Sequence, residues 1–100
     1  MFNFLLDDRK AERYESDSLI IDTCQVSDGE RPYETAVSHK EYNGGGWVIV
    51  EAYDTEHDAL IGHRRWVDKM TSDELPPSLI DCANVSQMCD EMEFPRQDSA

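Results

Sequence analysis

The sequence contains few basic residues. Nine lysines and arginines stand against 22 aspartates and glutamates, which gives a formal net charge of −13. A chain with this charge is repelled by DNA, RNA and anionic lipid, so we expect no direct binding to nucleic acid. No apolar run approaches the roughly 18 residues of a membrane-spanning helix, and we expect no contact with a membrane.

Cysteine is also scarce, and its spacing excludes a disulfide framework. Cys24, Cys82 and Cys89 are odd in number and follow no regular spacing. The amino terminus has an apolar run too short for a signal peptide and lacks a basic segment before it. We therefore expect free thiols and a cytoplasmic location.

The length of the chain, 100 residues, suits one domain with one modest core. Apolar residues make up 39% of the sequence, which favours a compact fold over disorder. We expect a single domain over residues 1–94 and a frayed polar tail over residues 95–100.

Three segments carry the pattern of β-strands. Residues 19–26, 33–39 and 47–53 are rich in β-branched or aromatic residues, and turn-forming sequences separate them. The first fifteen residues fit either an edge strand or a short helix. The pattern therefore predicts an antiparallel meander of three or four strands.

Two local features refine this meander. In the first predicted strand, Ile20, Cys24 and Val26 fall on one face, which Asp22 interrupts. Residues 43–46, Asn-Gly-Gly-Gly, readily adopt the positive backbone φ that a hairpin connection needs. We expect these four residues to join the second and third strands.

A helix is predicted over residues 55–70. Thr55 can cap its first turn, and Asp58 stands where a carboxylate favours the helix dipole. Gly62 lies mid-helix, where glycine costs about 1 kcal/mol relative to alanine, so we expect it to permit close packing against the sheet. The buried face is predicted to hold Ala59, His63, Trp66, Val67 and Met70.

A short C-terminal helix is predicted to follow an extended segment at residues 78–83. Pro76 and Pro77 separate this region from the first helix, because proline lacks an amide donor. Asn84 can cap the second helix. Its apolar face would carry Val85, Met88, Cys89 and Met92. The predicted fold class is α+β, with one helix covering one face of a small antiparallel sheet and a short C-terminal helix beside it.

Five short motifs follow one another between residues 22 and 70. In chain order they are Asp22-Thr23-Cys24, Tyr33-Glu34-Thr35-Ala36-Val37, Tyr42-Asn43-Gly44-Gly45-Gly46-Trp47, Val50-Glu51-Ala52-Tyr53-Asp54-Thr55 and Gly62-His63-Arg64-Arg65-Trp66-Val67. In the order of these motifs the chain resembles a group of small proteins encoded by bacteriophages and prophages. The resemblance covers about half of the chain and transfers no catalytic residues. It implies a setting: a phage gene product made inside a bacterium.

The spacing of potential metal ligands and nucleophiles argues against an active site. His57 and His63 are six residues apart, so they do not share a helix face. Cys82 and Cys89 are seven apart, unlike the ligands of a zinc knuckle. Cys24 lies in a strand interior, where thiols are inert packing groups. We expect no metal, no cofactor and no enzymatic activity.

Two further motifs have structural explanations. A phosphate-binding loop needs a helix after it, whereas residues 43–46 precede a strand. Glu34 and Glu51 lie on neighbouring predicted strands and could face each other across the hairpin. A catalytic pair of carboxylates would need a cleft whose environment shifts their two pKa values apart. The simpler explanation is that both carboxylates lie on a solvated face of the sheet.

Acidic residues form two clusters that are candidates for partner binding. If the clusters meet in space, they form a negative stripe that imitates a phosphate backbone; otherwise they are a solvated surface. The first cluster precedes the sheet, the second lies near the carboxyl end, and together they comprise Asp7, Asp8, Glu12, Glu15, Asp17, Asp90, Glu91 and Glu93.

These observations favour a non-enzymatic binding protein. The leading hypothesis is a phage protein that occupies a basic surface of a host protein, such as a defence nuclease or another nucleic-acid-handling enzyme. One alternative is a structural or assembly component of the phage particle. Another is a small ligand-sequestering protein, which would need a polar pocket. An unpaired sheet edge also makes a homodimer a reasonable expectation.

Overall fold

Seven elements of secondary structure make up the described part of the chain. The computed structural model describes residues 10–26, 31–82 and 92–97. In chain order the elements are β1 (Lys10–Glu15), β2 (Leu19–Gln25), β3 (Tyr33–His39), β4 (Tyr42–Tyr53), α1 (Glu56–Met70), β5 (Ser78–Asp81) and β6 (Met92–Pro95).

The strands β1 to β4 form one antiparallel sheet in their chain order. Helix α1 packs against this sheet, and β5 pairs with β6 in a separate two-stranded sheet. β5 lies along β4, and the amide of Cys82 donates to the carbonyl of Ile49 at 2.8 Å. The α+β prediction is confirmed, with the meander containing four strands.

The core lies between the four-stranded sheet and α1. Ile21 and Thr23 of β2 are fully buried there, whereas Ile20 and Cys24 are half-buried and Val26 is exposed. The face assigned to β2 from the sequence is therefore not the one that faces the helix. The first three residues of β2 are all apolar, so alternation alone fits either face, and the buried polar Thr23 conceals the true pattern.

The turn between β3 and β4 comes earlier than predicted. Lys40 and Glu41 make the turn, and residues 43–46 lie within β4. The positive φ expected there is present, at 53° for Asn43 and at 59° and 90° for the next two residues. The register jumps across this stretch, because Ser38 pairs with Trp47. The four residues thus form a bulge and not the hairpin loop.

Helix α1 begins as its sequence predicts. The side chain of Thr55 accepts a hydrogen bond from the amide of Asp58 at 3.1 Å. The close approach expected at Gly62 is confirmed, because a Cβ there would overlap the ring and hydroxyl of Tyr53. The buried residues of the helix include Ala59, Gly62, His63 and Met70.

The C-terminal region differs from its prediction where the structure describes it. Met92, assigned to the second helix, is the first residue of β6, and the rest of that predicted helix lies outside the described residues. Met92 pairs with Asp81 of β5, and Phe94 packs against the core. Strand pairing and the burial of Phe94 therefore override the local helical pattern.

Residues 95–97 are fixed to the rest of the molecule. The amide of Arg96 donates to the carbonyl of Pro77 at 2.8 Å, and the amide of Gln97 donates to the carbonyl of Glu41 at 2.6 Å. Arg96 and Gln97 belong to the predicted tail, and residues 98–100 lie outside the described residues. Hydrogen bonds to partners more than 15 residues away are not visible in a local sequence pattern.

Candidate functional site

The acidic candidates from the sequence occupy different parts of the structure. Glu12 and Glu15 lie on β1, Asp17 lies in the turn that follows it, and Glu93 lies on β6. All four side chains are exposed. The other four candidates, Asp7, Asp8, Asp90 and Glu91, lie outside the described residues.

The described members of the two clusters do not form one stripe. β1 is one edge of the four-stranded sheet, whereas β6 lies beyond the opposite edge, next to β5 and β4. Three strand spacings separate β1 from β4, a distance of about 14 Å. Glu93 is therefore remote from Glu15 and Asp17.

The fold brings a different pair of acids to the end of the sheet that carries Glu15 and Asp17. Tyr42 Oη, at the start of β4, donates to the carbonyl of Pro76 at 2.6 Å, so the turn after α1 lies at the end of the sheet where β4 begins. The β1–β2 turn lies at the same end, because the four strands alternate in direction. The turn after α1 contains Asp73 and Glu74, both exposed. We call these four carboxylates, Glu15, Asp17, Asp73 and Glu74, the acidic end.

Sequence reasoning missed Asp73 and Glu74 as partners of the first cluster. They lie more than 50 residues along the chain from Asp17, and only the antiparallel return of the helix brings the two turns to one end. The available signal was the parity of the elements, since each strand or helix reverses the chain direction. Counting the reversals from β1 to α1 would have placed both turns together.

Several arginine side chains form ion pairs with carboxylates outside the acidic end. Arg13 lies 3.2 Å from Asp22, and Arg65 lies 2.9 Å from Glu51. Arg96 is paired with Glu41. Glu15 has a longer contact, 3.4 Å, to Arg13. Within the described residues, the other three members of the acidic end make no ion pair, and Lys40 lines the same surface cleft as Glu15 and Asp17.

A second candidate feature is a chain of hydrogen-bonded side chains inside the core, which we call the buried polar chain. It links α1 to three strands. Its contacts are His63 Nδ1 to Thr23 Oγ1 (2.7 Å), Thr23 Oγ1 to Thr35 Oγ1 (2.6 Å), Thr35 Oγ1 to Tyr53 Oη (2.9 Å) and Tyr53 Oη to Glu51 Oε1 (3.1 Å).

The strand register explains how these residues meet. Thr23 and Thr35 are direct partners of β2 and β3, and both are fully buried on the helix side. Tyr53 reaches them from β4 across the space left by Gly62. Burial raises the pKa of Tyr53 well above its ordinary value, so the phenol keeps its proton at neutral pH.

The buried polar chain ends at Glu51, where it approaches the protein surface. Arg65 Nη2 donates to both carboxylate oxygens, at 2.9 and 3.0 Å, and Trp66 Nε1 donates to Oε1 at 2.9 Å. An open cleft of about 520 Å³ adjoins this point. Its lining includes Arg31 and Asp54, so charges of both signs face it and no single ligand charge is favoured.

Glu34 and Glu51 do not face each other. Glu34 pairs with Ala52, and Glu51 pairs with Thr35, so the two carboxylates lie on opposite faces of the sheet. Burial, and secondarily the charge of Asp81, raises the pKa of Glu34. Within the described residues, no group of three His, Cys, Asp or Glu side chains is arranged to hold a metal ion.

The pKa of His63 lies below its ordinary value. Burial is the largest cause, since it disfavours the imidazolium form. Glu12 and Asp22 oppose this shift, and Arg64 adds to it. The unfolded chain therefore binds a proton near pH 6.5 while the folded chain binds it at lower pH. Stability must fall as the pH decreases from about 6.5 towards the folded-state pKa.

We expect His63→Asn to weaken this dependence, because asparagine can donate to Thr23 without titrating. Urea unfolding at pH values of about 7.5 and 5.5 measures it, and the variant should lose less stability on acidification than the wild type. His39, whose pKa burial also lowers, is present in both proteins. His57→Asn, at an exposed position of α1, is the control. Equal acid sensitivity in wild type and His63→Asn would contradict the prediction.

The comparisons with known proteins add no family to these observations. Within the described residues, no helix has the length and apolar character needed to cross a bilayer. The resemblance to phage-encoded proteins stays a prediction from the sequence. Searches against protein-family models, curated proteins and solved structures find no match to this chain.

Proposed function

We propose that this chain is a non-enzymatic binding protein that occupies a basic surface of another protein through its acidic end. The observation that carries the proposal is the presence of Glu15, Asp17, Asp73 and Glu74 at one end of the sheet. They belong to a chain of net charge −13 in which Arg13, Arg65 and Arg96 pair with Asp22, Glu51 and Glu41. Such a surface attracts cationic partners and repels nucleic acid.

The resemblance to phage proteins suggests the partner class. A phage product acting in the bacterial cytoplasm meets nucleases and other nucleic-acid enzymes of the host, including those used in defence. Their phosphate-binding grooves are basic, so the acidic end would compete with nucleic acid for the same groove. Binding of this kind weakens with added salt, because the exposed charges are screened.

Capture from host lysate with two neutralised variants tests this proposal. The first variant replaces the acidic end, as Glu15→Gln, Asp17→Asn, Asp73→Asn and Glu74→Gln. We expect wild type to retain a partner at about 50 mM salt and to release it at about 500 mM salt or with excess duplex DNA. The first variant should lose at least about tenfold in retention, since four charge contacts are removed.

The matched control neutralises four exposed acids elsewhere on the molecule. Asp54, Glu56 and Asp58 lie at the start of α1, and Asp68 lies on its solvent side. Replacing them with amides gives the same net charge as the first variant. If both variants lose retention of the partner equally, net charge and not the acidic end determines binding. If wild type retains no partner at low salt, the proposal is refuted. Many copies in purified virions would favour the assembly alternative instead.

A further inference from the structure

The buried polar chain has a fixed number of hydrogens for its contacts. Four contacts join its five side chains, from His63 through Thr23, Thr35 and Tyr53 to Glu51. Each of the three hydroxyls supplies one hydrogen. Three hydrogens cannot satisfy four contacts, so one end of the chain must supply the fourth.

The surroundings of Glu51 decide which end supplies it. Arg65 and the indole nitrogen of Trp66 have no acceptor capacity, and both donate to the carboxylate. The Glu51 carboxylate therefore accepts from Tyr53. Each hydroxyl must then donate towards Glu51, and the missing hydrogen comes from Nδ1 of His63. Neutral His63 accordingly carries its proton on Nδ1 and leaves Nε2 unprotonated.

We infer that the buried polar chain is directional and that the carboxylate of Glu51 fixes the tautomer of neutral His63. Tyr53 donates to Glu51, Thr35 donates to Tyr53, and Thr23 donates to Thr35. The Nδ1–H of His63 then donates to Thr23, and Nε2 is the ring nitrogen without a proton.

The two ends of the buried polar chain lie in different settings. Glu51 stands beside the cleft on β4, with Arg65 and Trp66 of α1 around it. His63 is 3% exposed and faces the charges of Glu12 on β1, Asp22 on β2 and Arg64 on α1. The carboxylate beside the cleft thereby sets the position of the ring proton at the contact between α1 and β2. The inference does not depend on the proposed function.

Nitrogen-15 NMR of the His63 ring tests the inference directly, since it distinguishes the two tautomers. At a pH of about 7.5, above the ordinary histidine range, wild type should show the proton on Nδ1. Tyr53→Phe removes the hydroxyl next to Glu51 and frees Thr35 to donate towards Thr23. We expect the ratio of tautomers to shift towards Nε2–H by about fivefold, the factor for one net hydrogen bond.

Glu51→Gln provides a second test if Tyr53→Phe does not fold. A glutamine amide can donate as well as accept, so it no longer fixes the direction, and the same shift is expected. Glu41→Gln, which alters a carboxylate paired with Arg96, is the matched control and should leave His63 unchanged. A proton on Nε2 in wild type overturns the inference. So does an unchanged Nδ1–H tautomer in Tyr53→Phe or Glu51→Gln.

Discussion

Replacing Gly62 with alanine is expected to lower the free energy of unfolding by about 2 kcal/mol. A Cβ at this position overlaps the ring and hydroxyl of Tyr53. The ring has little room to move, because it is 6% exposed and its hydroxyl is bonded to Thr35 and Glu51. Overpacking costs about 3 kcal/mol at the upper end of its usual range, and alanine recovers about 1 kcal/mol of helix propensity.

Urea denaturation of Gly62→Ala and of a neighbouring control measures this effect. Ile61 is 47% exposed on the same helix, so Ile61→Ala should change stability by no more than about 0.5 kcal/mol. In a Tyr53→Leu background the overlapping atoms are gone, and Gly62→Ala should raise the free energy of unfolding by about 1 kcal/mol there, the gain in helix propensity. A variant as stable as wild type would mean that helix propensity outweighs the overlap.

Thr23→Val is expected to lower the free energy of unfolding by about 3 kcal/mol. The valine keeps the shape of threonine but removes the hydroxyl that contacts both His63 and Thr35. Both partners are buried, and a buried polar group without a partner costs about 1–3 kcal/mol. The loss therefore reflects the unsatisfied Nδ1 of His63 and the broken contact to Thr35, which keeps its hydrogen bond to Tyr53, and not a loss of packing.

A double-mutant cycle separates these contributions. Thr23→Val and Thr35→Val each break the contact between the two hydroxyls, so the double variant should be more stable than the sum of the single changes predicts. We expect a coupling of at least about 1 kcal/mol. Thr71→Val, at an exposed position after α1, is the control and should have a small effect. Additive losses would show that the hydroxyls of Thr23 and Thr35 act independently.

The sequence by itself determined the features that depend on neighbouring residues. The cap at Thr55, the prolines after α1 and the alternating pattern of β3 each act within a few residues, so they were readable directly. Gly62 was also interpretable, because a mid-helix glycine is unfavourable unless something approaches it closely. These local signals were sufficient to predict an α+β fold with a helix-covered meander.

The buried face of β2 and the strand β6 could not be predicted from the sequence, because more than one pattern fits the same residues. Three consecutive apolar residues at the start of β2 satisfy either face, and the polar Thr23 hides the buried one. Met92 fits a helical pattern as well as a strand, and only pairing with β5 selects the strand. Such choices depend on contacts between distant segments, which outweigh local preference.

The candidate sites were decided by the tertiary structure alone. The acidic end joins Asp17 to Glu74 through chain reversals, and the buried polar chain joins Thr23 to His63, 40 residues apart. In the sequence His63 was one apolar-face histidine and Thr23 one residue of a strand. The free energy that brings them together comes from burying the core around them, and no local pattern encodes that proximity.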